Sequence, residues 1–186
     1  LREMIARAGL TDADVTYVRT GGGPQRLQAL IEGKQAAALL NTPFDLQAVE
    51  RGFTRLGSAS QMLGRYQGHA VVAQRGWIAN NETAVIGMMR AYRDAMEWLF
   101  EPKNREIAEA LLVAHDRGMT PALARQTYDV LTDPKEGLYR NVALDIEGLR
   151  TVLNLRNKFS TPPMNLTDPM KYVDMELYKK AFASKP

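Results

Sequence analysis

The pattern of apolar and polar positions divides the chain into a mixed part and a helical part. From residue 1 to about residue 73, short helices alternate with short apolar runs, and a glycine closes each helix. The runs are β-branched or continuously apolar, as strands of a buried parallel sheet are. Strands are predicted over residues 15–19, 35–40 and 69–73. This rhythm predicts an α/β fold on an open, mainly parallel sheet with flanking helices.

Beyond residue 73 the spacing of apolar positions becomes helical. Amphipathic helices are predicted over residues 82–100, 104–115, 121–131, 145–158 and 169–183. Thr120 and Asp168 each precede a proline at the first helical position, which marks the start of two of them. The chain opens on residues with helical spacing but no cap, so we expect that an N-terminal portion is missing before residue 1.

Composition and charge argue against several classes of function. The net charge of +3 is scattered along 186 residues, so no nucleic-acid partner is expected. No apolar run reaches the roughly 18 residues that a membrane-spanning helix needs. The chain has no cysteine, which excludes disulfides and thiolate chemistry. His69 and His115 lack partners at metal-ligand spacing, so we expect neither a metal nor a cofactor.

The turn that carries Gly21, Gly22 and Gly23 is the first candidate site. Pro24 presets the helical turn that follows, which leaves amides of the loop free to donate hydrogen bonds. The helix N-terminus and Arg26 add positive charge, a combination suited to a carboxylate, sulfonate or phosphate. The turn matches neither a nucleotide P-loop nor a dinucleotide fingerprint. A flexible turn without a ligand is the structural alternative.

A second turn, with Asn41 and Thr42 before Pro43, follows the next predicted strand and begins another helix. If the two strands are parallel neighbours, both turns lie at the same sheet edge, where open α/β sheets bind ligands. Capping of the helix is the alternative role for Asn41 and Thr42.

Few other side chains offer ligand contacts or chemistry. Tyr66 is a candidate for stacking on an organic ligand, as are Trp77 and Tyr139, although aromatic residues also serve as core. No serine lies in a Gly-x-Ser-x-Gly turn, and paired carboxylates have helix-start or surface spacing. The chain is therefore predicted to bind a ligand and not to be an enzyme.

The order of these motifs resembles the second lobe of type II periplasmic solute-binding proteins. The resemblance rests on Ala8-Gly9-Leu10, the Gly-Gly-x-x-Arg of Gly22, Gly23 and Arg26, Ala36-Ala37-Ala38, Thr42-Pro43 and Ala48-x-x-x-Gly52. The chain looks most like the nitrate, sulfonate and taurine receptors and their thiamine-precursor-synthase-like relatives, truncated at the N-terminus. This implies that residues 1–65 belong to the second lobe, residues 66–80 cross between lobes, and residues 81–186 form the helical C-terminal part of the first lobe.

The resemblance also implies a function. The complete protein would be a periplasmic or lipid-anchored receptor, made with a signal peptide, that captures a small organic anion between two lobes and delivers it to the membrane permease of an ABC importer. The implied ligand-binding residues are Gly21, Gly22, Gly23, Arg26, Asn41, Thr42 and Tyr66. Two alternatives share the architecture, the effector-binding domain of a transcription regulator and a thiamine-pyrimidine-precursor synthase-like enzyme. The first needs a helix-turn-helix and the second relies on a cysteine-rich motif, and this chain carries neither.

Overall fold

The structure, a computed structural model, describes residues 1–183 as an arrangement of helices joined by irregular segments. The α-helices are α1 (Arg2–Arg7), α2 (Gly23–Ile31), α3 (Phe44–Glu50), α4 (Ala59–Leu63), α5 (Arg75–Asn80), α6 (Glu82–Leu99), α7 (Arg105–His115), α8 (Pro121–Thr132), α9 (Ile146–Phe159) and α10 (Glu176–Phe182). Two 3₁₀-helices span Pro102–Asn104 and Pro169–Tyr172. The end of the predicted 81–186 segment, residues 184–186, lies outside the described residues.

The predicted parallel sheet is wrong, because residues 1–183 contain no β-strand. The three segments predicted as strands, 15–19, 35–40 and 69–73, are irregular. β-Branched residues favour an extended backbone, but a strand forms only where a second backbone segment supplies hydrogen-bond partners. No described segment pairs with them, and the Val71 and Val72 side chains, which a buried strand would cover, are 75% and 87% exposed.

The helical part follows the sequence pattern closely. Helix α6 begins at the predicted residue, Glu82, and α8 begins behind Thr120, whose hydroxyl accepts a hydrogen bond from the Leu123 amide at 3.1 Å. The predicted final helix is divided, because the turn capped by Asp168 is a short 3₁₀-helix that ends at Tyr172. An α-helix resumes only at Glu176. Spacing and caps therefore predict long helices better than short ones.

The first compact unit comprises residues 1–62 and 106–137. Within it, α3 packs against both α2 and α8. One apolar cluster joins α2 to α3 through Leu27, Leu30, Ala48 and Phe44. A second cluster joins α3 to the start of α8 through Leu46, Met119, Leu123 and Ala124. Because α3 is held from two sides, the turn before it lies at a fixed place beside the start of α2.

The second compact unit comprises, among the described residues, 63–105 and 138–183. Its α10 packs along α6, where Arg90 Nε donates a hydrogen bond to the Ala181 carbonyl at 2.9 Å. The guanidinium carbon of Arg93 lies 4.3 Å from the centroid of the Phe182 ring, a cation–π contact. Arg90 therefore satisfies a carbonyl that the last turn of α10 leaves without an intrahelical partner.

Candidate functional site

The glycine-rich turn before α2 is held in place by Arg26. Gly21 has a φ of +89°, a conformation that side chains with a Cβ rarely adopt, and Gly22 is the N-cap residue of α2. Arg26 Nε donates a hydrogen bond to the Gly21 carbonyl at 2.8 Å, and Arg26 Nη1 donates one to the Leu39 carbonyl at 3.2 Å. The arginine therefore ties the turn to the segment that precedes the second candidate turn.

The two candidate turns lie side by side. A Cβ added to Gly23 would lie 2.3 Å from Cδ2 of Phe44 and 3.1 Å from Oδ1 of Asn41. Glycine is therefore required at position 23 for α2 to approach α3 this closely. The approach arises from packing between two helices and not from neighbouring strands of a sheet.

The capping role predicted for Thr42 is wrong, because Pro43 is the N-cap residue of α3 and no side chain caps this helix. Asn41 is exposed, and its side-chain amide makes one long contact of 3.4 Å to the Thr42 carbonyl. Six predicted site residues thus lie around the starts of α2 and α3. Tyr66, the seventh, is a half-exposed residue of the second unit, where its backbone lies against Gly148.

A buried carboxylate that the sequence did not single out for binding lies in the second unit. Asp145 precedes α9 and is 4% exposed. Its Oδ2 accepts hydrogen bonds from Arg65 Nε at 2.9 Å and from the Tyr139 hydroxyl at 3.1 Å. Its Oδ1 lies 2.6 Å from Arg65 Nη2 as an ion pair, although no hydrogen bond to Oδ1 is formed. The Asp145 amide donates to Gln67 Oε1 at 2.8 Å, so the backbone is fixed too.

The charges of this cluster follow from its surroundings. Burial acts to raise the pKa of Asp145, but the hydrogen bond from Arg65 and the other donors outweigh it and hold the pKa below its ordinary value. The same hydrogen bond raises the pKa of Arg65. Burial, followed by the bond to Asp145, raises the pKa of Tyr139. The cluster therefore consists at neutral pH of a carboxylate, a guanidinium and a neutral phenol.

The sequence held only a partial signal for this cluster. The sequence pattern predicts Asp145 at the start of a helix and Tyr139 as a candidate stacking residue, but Arg65 lies 80 positions before Asp145 and no spacing rule connects them. Within residues 1–183 there is no group of three or more metal-binding side chains, and no helix is both long and apolar enough to cross a membrane. His69 and His115 belong to different units.

Comparison with known proteins identifies the family. The sequence profile described as the NMT1-like family matches residues 1–113, which is more than half of the chain. The chain therefore belongs to the NMT1-like family, a group of solute-binding proteins of ABC importers that act outside the cytoplasm. No curated protein and no solved structure matches the chain.

Proposed function

We propose that this member of the NMT1-like family is the receptor of an ABC importer that captures a small organic anion, a carboxylate or sulfonate, and delivers it to a membrane permease. The observation that carries the proposal is the approach of the two turns at the starts of α2 and α3, in the part of the chain that matches the family. The proposed setting is the periplasm, or the outer face of the membrane if a lipid anchors the protein.

The chemistry of these turns favours an anion. The first amides of a helix have no intrahelical acceptor, and the N-terminus carries a partial positive charge. An anion there gains about 0.3–2 kcal/mol from this charge. Gly21, Gly22 and Gly23 place no side chain of their own over these amides, and Oδ1 of Asn41 would lie 3.1 Å from a Cβ added to Gly23. Arg26 contributes its charge, while Nε and Nη1 hold the turn together.

The two alternative functions are less favoured. The regulator would bring a DNA-binding helix-turn-helix and the enzyme a cysteine-rich motif, whereas the family of this chain is mainly one of substrate-binding proteins. Tyr66 stays a proposed ligand contact through the resemblance alone.

Calorimetric titration with a panel of carboxylates, sulfonates and uncharged analogues tests the proposal, with Gly22→Val as the key variant. Gly22 has a φ of −78°, which valine tolerates, and the one close contact of an added Cβ would be Oε1 of the flexible Gln25 side chain at 3.1 Å, with Pro24 Cδ at an ordinary 3.8 Å. The valine side chain would cover the first-turn amides, so we expect anion binding to weaken about tenfold, which corresponds to about 1.4 kcal/mol.

Gly57→Val is the matched control. Its added Cβ would also meet only the end of a flexible side chain, Sδ of Met62 at 3.1 Å, in the same unit but before α4. We expect this variant to bind as the unmodified protein does. A preference for uncharged ligands, or equal binding by both valine variants, contradicts the assignment of the anion to this turn.

A further inference from the structure

We propose that the second unit contains a binding site for a singly charged small carboxylate with an apolar or aromatic body, held by Arg65. The site is a surface depression of about 350 Å³, named here the Arg65 depression. It is lined by Arg65, Tyr139, Asn141, Ala143, Leu144 and Asp145. This inference goes beyond the proposed receptor function, because it concerns other residues and does not depend on transport.

Arg65 is oriented for recognition although its side chain is 66% exposed. Asp145, with a side chain only 1% exposed, engages the Nε and Nη2 edge of the guanidinium at 2.9 and 2.6 Å. A guanidinium has five N–H groups, and Asp145 engages only the edge formed by Nε and Nη2, so this carboxylate does not use the edge formed by Nη1. Beyond Asp145, the Arg65 guanidinium also interacts with the Tyr139 hydroxyl and with the charge of Glu147. The side chain is therefore fixed before a ligand arrives, which lowers the entropy lost on binding.

The free edge of Arg65 determines the charged group of the ligand. Two parallel N–H groups match the two oxygens of a carboxylate, and arginine forms such forked pairs readily. Asp145 already offsets the charge of Arg65, so a second carboxylate leaves one net negative charge on the cluster and a dianion leaves two. A singly charged ligand is favoured for that reason.

The walls of the depression determine the rest of the ligand. The Tyr139 side chain is fixed by its bond to Asp145, while the residue is 49% exposed, which leaves ring surface for stacking. Ala143 and Leu144 add apolar surface. The occupant therefore combines one carboxylate with a small apolar or aromatic body.

The backbone at the rim is held in an unusual conformation. Val142 has a φ of +51°, which is rare for a β-branched residue. The Val142 amide donates to the Tyr139 carbonyl at 3.1 Å, and the Tyr178 hydroxyl donates to the Asn141 carbonyl at 3.0 Å. Such conformations persist where the surroundings fix them, and they are frequent at ligand sites. These bonds keep the wall formed by residues 143–144 in place.

Benzoate is the probe, and benzamide is its uncharged counterpart of the same shape. Calorimetric titration of the whole chain with each probe should show that benzoate binds at least tenfold more tightly than benzamide. Arg65→Lys keeps the positive charge but loses the two parallel N–H groups that can bind both carboxylate oxygens, so we expect it to weaken benzoate binding about tenfold. Failure of benzoate to bind at about 10 mM, a concentration at which even millimolar affinity is detected, overturns the proposal.

Ala143→Leu tests the depression without altering the ion pair. Leucine would fill part of the space, so benzoate binding should fall at least tenfold, while Ala73→Leu at an exposed position of the same unit should leave it unchanged. Circular dichroism establishes that each variant is folded. Normal benzoate binding by folded Ala143→Leu overturns the proposal. Gly22→Val should not affect benzoate binding. If Gly22→Val loses benzoate binding while Arg65→Lys and Ala143→Leu keep it, this site is refuted and the receptor proposal stands.

Discussion

Replacing Arg65 with alanine removes the cation that pairs with the buried carboxylate of Asp145. The carboxylate then keeps the hydrogen bond from the Tyr139 hydroxyl but loses the one from Arg65 Nε at 2.9 Å and the ion pair with Nη2 at 2.6 Å. We expect a marked loss of stability in the second unit.

The magnitude follows from the different exposure of the two partners. Breaking a fully buried pair costs about 3–5 kcal/mol, whereas an exposed pair contributes about 0–1 kcal/mol. The Asp145 side chain is 1% exposed and that of Arg65 is 66% exposed, so water screens one partner and can enter where arginine is removed. A charge-assisted hydrogen bond contributes about 1.5–3 kcal/mol. The expected loss in the free energy of unfolding is therefore about 2 kcal/mol.

Urea-induced unfolding followed by circular dichroism measures this loss, with Arg75→Ala as the matched control. Arg75 is exposed in the same unit and has no ion pair among residues 1–183, so its replacement should change the free energy of unfolding by less than about 0.5 kcal/mol. Adding Asp145→Asn to Arg65→Ala should recover part of the loss, since the unpaired charge is gone. Equal stability of the Arg65→Ala and Arg75→Ala variants would refute the reasoning.

Three further predictions concern acid, the core and a helix start. Folding lowers the pKa of Asp145 from its ordinary value of 3.8, so its contribution to stability is present above that pH and is lost as the pH falls through the folded pKa. Urea midpoints should therefore fall less steeply on acidification in Asp145→Asn than in the unmodified chain; parallel curves would contradict this. Leu123→Ala should cost about 2–5 kcal/mol in thermal or urea unfolding because Leu123 is 1% exposed, whereas Leu111→Ala, at a position 46% exposed, should cost less than about 1 kcal/mol. Thr120→Ala should cost about 1 kcal/mol through loss of the N-cap bond, and Thr120→Ser should restore it.

The helices were predictable because their signals are local. Apolar spacing places α6 and α8, and a proline behind an N-cap residue marks where α8 begins. Strands could not be predicted in the same way. The residue types of 15–19 and 69–73 favour an extended backbone, but they do not determine whether a second segment is present to pair with it. The predicted fold class is therefore wrong because the segments predicted as strands have no partner segments among the described residues.

The candidate sites show the same division. The glycine turn and the Asn41 turn were each visible in the sequence, and their proximity was expected at a sheet edge. They are close for another reason, because Gly23 has no side chain to separate α2 from Phe44. The cluster around Asp145 could not be assembled from the sequence, since Arg65 and Asp145 are brought together only by the fold.

The contrast between Arg26 and Arg65 shows why a motif alone does not identify a ligand contact. Arg26 belongs to the more recognisable motif, yet two of its nitrogens donate to backbone carbonyls, so its removal would loosen the turn before it removed a ligand contact. Arg65 belongs to no motif, but its carboxylate partner engages only one edge of the guanidinium, and the side chain lines a depression. An arginine that supports a turn and one that can hold a ligand are distinguished by which of their five donors the fold already uses.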